Sequence, residues 1–390
     1  MSILTQSRRA SEHTPVADRA REMVAGLDWL LMLVVAGLSA WGLYVIREGT
    51  KTDVRSQPTY YFDRQLMFVV AGVVVFAVVA SINPEWLQSV PWVLLGALLG
   101  ALAVVFAIGG SVNGSVRWID VGPFGLQPSE FGKVLMVLIL SGLAVERMGE
   151  MEPWRLTAFL GLVTAVPALV VFMQPDLGTS LVYWAIYLGV LVMILTPWQH
   201  FAVMGGSLVA LVVLVVGVLP AIGLPVLKDY QAARITVLFN PDSVDSDTRL
   251  QITQAKIGIG AGGATGKGAD GATQSTRAFI PEHHTDFIFS VVGEMFGFIG
   301  SAVVIILFGI VVWRALRISA RAPTQFEQVV ADAVAAMFIF QVFVNIGMNI
   351  GVMPVTGIPL PFLSYGGSHT LTNFAAIGLL IAIGRRRVNI

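Results

Sequence analysis

The chain has 390 residues, 56% of them hydrophobic and only 12% charged, with a mean hydropathy of +0.78. That is too apolar for a soluble protein of this size, and the apolar residues run on continuously for about the 20 positions that cross a bilayer, so helices are expected rather than alternating barrel strands. A formal net charge of zero argues against a nucleic-acid role, and the absence of cysteine excludes disulfides and thiolate metal sites.

Residues 1–26 are polar, with Arg8, Arg9, Arg19 and Arg21. No apolar core precedes a small-residue cleavage site there, so the first span reads as a retained anchor rather than a cleaved signal. Ten spans are expected, at about 27–46, 65–82, 90–109, 130–146, 156–173, 177–195, 201–222, 286–313, 327–350 and 367–384. An even number puts both termini on one side. With that side inside, the inner segments carry twelve Lys/Arg and the short outer loops five, so the positive-inside rule makes both termini cytoplasmic. The expected fold is all-α and polytopic: a cytoplasmic tail over 1–26, then one membrane domain over 27–390. Its large extracytoplasmic loop, 223–285, joins the seventh and eighth helices.

In this orientation nearly all the unusual residues fall in outer loops, so function is expected to face outward. Within the long loop, Asn240-Pro-Asp242 signals a turn and Gln251 to Ile259 has the pattern of an amphipathic helix. Gly258 to Gly268 is rich in glycine and contains Lys267. It lacks the Ser/Thr that follows Gly-Lys in a P-loop and no buried strand precedes it. It reads as a flexible loop, or one whose backbone N–H groups approach an anion.

Glu130 and Lys133 sit three apart at the start of the fourth span, on one helix face. A lysine there is costly in lipid, so it is expected to pair with Glu130, to line a polar cavity where it meets a phosphate, or both. Gln127-Pro-Ser-Glu130 and Gln174-Pro-Asp176 echo each other as helix starts, with proline and an acid in the first turn. The loop-to-helix junction of the eighth span holds Glu282, His283, His284 and Asp286. Thr285 can cap this helix with Asp286 in its first turn. His283 and His284 are adjacent, so their side chains diverge in regular backbone, and with Asp286 they match no known metal cage. Gly293 and Gly297 flank Glu294 at the spacing of a close-packing face, and Glu294 lies about 12 Å along the helix from Asp286. Pro359 to Ser368 breaks the apolar pattern before the last span, as backbone lining a cavity does.

Nine strings carry a resemblance. They are Arg117-Trp-Ile-Asp, Gln127-Pro-Ser-Glu with Lys133, Gln174 to Ser180, Ala255-Lys-Ile-Gly-Ile-Gly, Gly266-Lys-Gly, Gly271 to Ser275, Pro281 to Phe289, Val344 to Met348 and Pro359 to Ser368. In order, from about residue 110 to the end, they resemble the SEDS family (shape, elongation, division and sporulation), which includes RodA, FtsW and SpoVE. Asp229-Tyr-Gln231 and Val344 to Met348 look closer to the RodA branch, whereas His283 stands where RodA-like chains often have arginine.

The resemblance implies a peptidoglycan glycosyltransferase of the bacterial cytoplasmic membrane. It would polymerise lipid II at the outer face during elongation and shape maintenance, working with a class B penicillin-binding protein. It also implies a divalent cation, magnesium or manganese. The family's essential aspartate falls on Asp286. A positioned carboxylate can take the proton of the attacking sugar hydroxyl, and cations stabilise a diphosphate leaving group. Candidates for substrate binding are Arg117, Trp118, Glu130, Lys133, Asp176, Arg234, Lys267, Arg277 and Ser364. The competing readings are a lipid II flippase, which needs important charges in both leaflets, and a non-catalytic scaffold, which does not need Asp286.

Overall fold

The computed structural model describes residues 27–54, 56–108, 110–112, 115–121, 124–222, 246–276 and 282–386. Helices α1 (Trp29–Gly49) and α2 (Tyr60–Ser81) are followed by the short α3 (Pro84–Gln88) and by α4 (Pro91–Ile108). Next come strands β1 (Gly110–Val112), β2 (Ser115–Val121) and β3 (Phe124–Leu126), then α5 (Pro128–Arg147), α6 (Pro153–Met173) and α7 (Leu177–Met193). Helix α8 (Trp198–Val212) widens into a π turn over Val213–Val218. Then follow α9 (Ser246–Gly262), α10 (Gly268–Gly271), α11 (Thr273–Thr276), α12 (Ile288–Ser319), α13 (Gln325–Ile350) and α14 (Gly367–Arg385).

Each of the ten expected segments falls on an apolar helix. Among the described residues, eight are long and apolar enough to cross a membrane, while α4 and α7 are shorter. The chain is a polytopic, helical membrane protein. Helices α5, α13 and α14 form its centre: α14 packs on α2 and α5, and α13 packs on α12, α7 and α5. Their buried faces fill the core with residues such as Met136, Leu140, Val334, Phe338, Ile377 and Leu380.

The region before α5 departs from a plain loop. Strands β1, β2 and β3 pair antiparallel in that order, with Val112 opposite Ser115 and Val121 opposite Phe124. Val116, Trp118, Ile119 and Val121, β-branched or aromatic, suit a strand, and Asn113-Gly114 between the first two strands is a two-residue hairpin signal.

The loops sort to two ends of the bundle. At one end, Asp28 caps α1 through Leu31 N (3.1 Å) and accepts from Arg314 of α12 (2.8 Å to Nε). There Arg386 also bridges Glu85 and the fully buried Glu327, at 2.6 Å each. These charges are matched pairs that tie helix ends together. The other end gathers the segments around residues 53, 127, 176, 286 and 364.

Candidate active site

The turn 282–287 introduces α12. Glu282 takes a left-handed φ of +51°, rare for a residue with a side chain. Its carbonyl accepts from Thr285 N (3.2 Å) and Phe287 N (3.3 Å). The Thr285 hydroxyl also donates to Glu282, so it does not cap α12. The helix begins at Ile288, and Asp286 stands just ahead of its first turn rather than within it.

Three consecutive carbonyls of this turn are held from elsewhere. His284 O accepts from Tyr365 N at 2.8 Å. Thr285 O accepts from Ser364 Oγ at 2.6 Å. Asp286 O accepts from Asn345 Nδ2 at 2.9 Å and Asn349 Nδ2 at 3.1 Å. Asn349 Oδ1 accepts in turn from Ser290 N and Oγ at 3.0 and 2.6 Å. The backbone is thus fixed beneath the half-buried Asp286. Gly357 (φ +75°) lies beside the carboxylate: a Cβ built on it would stand 3.6 Å from Asp286 Oδ2, an ordinary contact distance.

The polar column continues inward along α13. Gln341, Asn345 and Asn349 recur every four residues, about 6 Å apart along one face. Gln341 Oε1 accepts from Lys133 Nζ at 3.3 Å, and Lys133 Nζ pairs with Glu130 Oε2 at 2.5 Å. His369 Nδ1 lies 3.7 Å from the same Glu130 oxygen. The expected ion pair is present. Lys133 is only 1% exposed, however, so it is sealed inside the bundle instead of lining an open cavity.

Asp176 caps α7 through Thr179 N (3.1 Å), and its other oxygen accepts from Gln127 Nε2 (2.7 Å) and Ser129 Oγ (3.2 Å). The two Gln-Pro segments therefore bond to each other, and Asp176 is occupied by protein donors. Ser364 is fully buried between Thr285 O and Leu360 N (2.8 Å), so it braces the turn. Trp118 is half-buried, with its ring against Gly125 of β3. Arg117 lies on β2. Arg234 and Arg277 lie outside the described residues.

The glycine-rich run is not a free loop. Gly263 O and Ala264 O accept from Phe298 N (2.9 Å) and Ile299 N (3.1 Å), and Lys267 N donates to Glu294 O (3.0 Å). It docks where α12 kinks at Gly297 (φ +65°), and a Cβ on Gly297 would sit 2.7 Å from Ala264 C. The buried Glu294 carboxylate accepts from Gln274 N at 2.9 Å, so it holds the same segment. Lys267 is exposed beside it.

Sequence reasoning gave no role to Asp53, Asn345 or Asn349. The two asparagines had a signal, amides four apart within an apolar span. Asp53 had none. It lies in the loop after α1, with Oδ2 3.3 Å from His283 Nε2. The rings of His283 and His284 are 5.4 Å apart, and His284 packs on Tyr61 (4.3 Å) and Tyr365 (5.5 Å). Burial, then the neighbouring His283, pushes the His284 imidazole down to about 4, so it is neutral near pH 7.

The FtsW/RodA/SpoVE family model, described as cell cycle protein, matches residues 26–389. "Probable peptidoglycan glycosyltransferase FtsW" of Halorhodospira halophila is 36% identical, covering 95% of this chain and 94% of that one. Peptidoglycan glycosyltransferase MrdB of Escherichia coli is 33% identical, covering 93% and 94%. A solved structure described as structural coordination of polymerization and crosslinking by a peptidoglycan synthase complex superposes with a TM-score of 0.77. It has 29% identity and covers 93% of this chain and 98% of that one.

Proposed function

The chain belongs to the FtsW/RodA/SpoVE family, and from that premise we propose that it is a peptidoglycan glycosyltransferase. Its substrate is lipid II, an undecaprenyl-diphosphate-linked disaccharide-peptide, and it works at the outer face of the bacterial cytoplasmic membrane with both termini inside. The acceptor sugar hydroxyl attacks the donor's anomeric carbon. A glycosidic bond forms as the bond to the lipid diphosphate breaks, and Asp286 takes the hydroxyl proton. The diphosphate leaves with its negative charge, and preorganised cations oppose that charge. Arg117, Arg234, Lys267 and Arg277 are assigned this role, with Trp118 offering an aromatic face to the sugar.

Lys133, Glu130, Asp176 and Ser364 are positioning residues in this reading, because their polar atoms bond to protein groups. A divalent cation, magnesium or manganese, belongs to the proposal and supplies positive charge when bound. The RodA-like strings favour a role in elongation, and the similarity to a chain of a peptidoglycan synthase complex supports a class B penicillin-binding protein as partner.

The observation that carries the reading is a half-buried carboxylate on a turn whose three consecutive carbonyls are pinned. Such fixing is what a base needs in order to meet its proton in one geometry. The test is glycan-chain synthesis from purified lipid II, with the partner present, by wild type and Asp286→Asn. The variant is expected to lose about 10²–10⁴-fold in rate while keeping its melting temperature and its partner. Near-normal synthesis would refute the assignment and favour the flippase or the scaffold.

A further inference from the structure

We propose that Asp53, His283 and His284 form a binding site for a manganese- or zinc-type divalent cation, and that the ion clamps the loop between α1 and α2 onto the turn that carries Asp286. One ligand atom from each of the three residues lies within 4.8 Å of the others. Metal–ligand bonds of about 2.1 Å need donors within about 4 Å of one another, so a closure of less than about 1 Å seats the ion. The Asp53–His283 pair, at 3.3 Å, already meets that spacing.

Two further atoms point to a missing ligand. Asp53 Oδ1 and His284 Nδ1 are buried and have no hydrogen-bond partner among the described residues. Buried polar atoms are ordinarily satisfied, so two bare ones on residues of this cluster point to a ligand there. The site is also pre-shaped. Tyr61 and Tyr365 fix the His284 ring, and Tyr365 N holds the His284 carbonyl. Adjacent histidines diverge only in regular backbone, and this turn is irregular, with Glu282 at a left-handed φ just before them.

The donor set decides the class of ion. Two imidazole nitrogens and one carboxylate suit borderline ions such as iron(II), cobalt(II) and zinc, and manganese(II), though harder, accepts the same mixed set. Magnesium and calcium prefer oxygen ligands throughout. Metal binding by these three residues is a property of the fold and stands apart from the glycosyltransferase reading, so its failure and the failure of that reading can be told apart.

The experiment uses the full chain in lipid nanodiscs, stripped with a chelator and titrated with manganese(II) chloride while free manganese is followed by electron paramagnetic resonance. One equivalent is expected to bind per chain, to resist about a hundredfold excess of magnesium, and to raise the melting temperature. Asp53→Asn and His283→Gln are each expected to weaken binding at least about tenfold and to abolish the manganese-dependent rise in melting. Absence of saturable binding, or variants that bind as tightly as wild type, would overturn the proposal. Should a variant fail to fold, pulsed resonance on the manganese-loaded wild type decides by itself. Nitrogen couplings from bound imidazole support the site, and a purely oxygen environment overturns it.

Discussion

Lys133 and Asp286 differ in what surrounds their charges. The lysine is buried with Glu130 and Gln341, and the aspartate is half-exposed over a fixed backbone. Removing one member of a buried ion pair leaves an uncompensated charge, which costs about 3–5 kcal/mol, whereas replacing both members with apolar groups is often neutral. Lys133→Met is therefore expected to lower the melting temperature sharply and to reduce activity with it. Glu130→Leu/Lys133→Met is expected to recover much of the stability. Thermal unfolding in detergent checks this, and a double variant no more stable than Lys133→Met would show that the pair is not the source of the loss. The pairing was legible at this scale because three-residue spacing puts two side chains on one helix face. The depth of Lys133 was not, because it depends on α7, α13 and α14 closing over α5.

At the scale of elements, the second half of the long connection docks on α12 instead of standing free. Gly293 accommodates Ile259 of α9, and a small apolar cluster of Ala255, Phe287 and Val355 seals α9 against the start of α12. The kink at Gly297 completes the joint, because its left-handed φ and its approach to Ala264 both exclude a side chain. Gly297→Val is expected to undock residues 246–276 while α12 stays helical. Hydrogen exchange would then rise at least about tenfold across that segment, with little change in α13 and α14. Unchanged protection would show that the kink does not hold the segment. The glycines themselves were plain in the sequence. Their use was not, since a glycine needed for backbone contact and one in a loose loop look the same until the partner strand of chain is placed beside it.

On the scale of the whole molecule, the two ends differ in kind. One is tied by matched ion pairs among Asp28, Arg314, Arg386, Glu85 and Glu327, and the other gathers the turn, the paired Gln-Pro segments and the histidines. The chain has no cysteine, so single cysteines report sidedness directly. Ser56→Cys is expected to react with a membrane-impermeant maleimide applied from outside the cytoplasmic membrane, and Glu150→Cys only after lysis. The reverse pattern would invert the proposed orientation. The sequence by itself determined the class of protein, the positions of its apolar helices and the sorting of odd residues into alternate loops, because hydrophobic length and charge bias are local properties that a bilayer reads directly. Even the site strings could be found along the chain, Pro281 to Phe289 above all. Only the tertiary structure decided which of those residues are spent on one another. It put Ser364 and Asp176 into internal hydrogen bonds, sealed Lys133 away, and brought Asp53 to His283 and His284. Those outcomes depend on the packing of helices far apart in sequence, and no local periodicity encodes such a meeting.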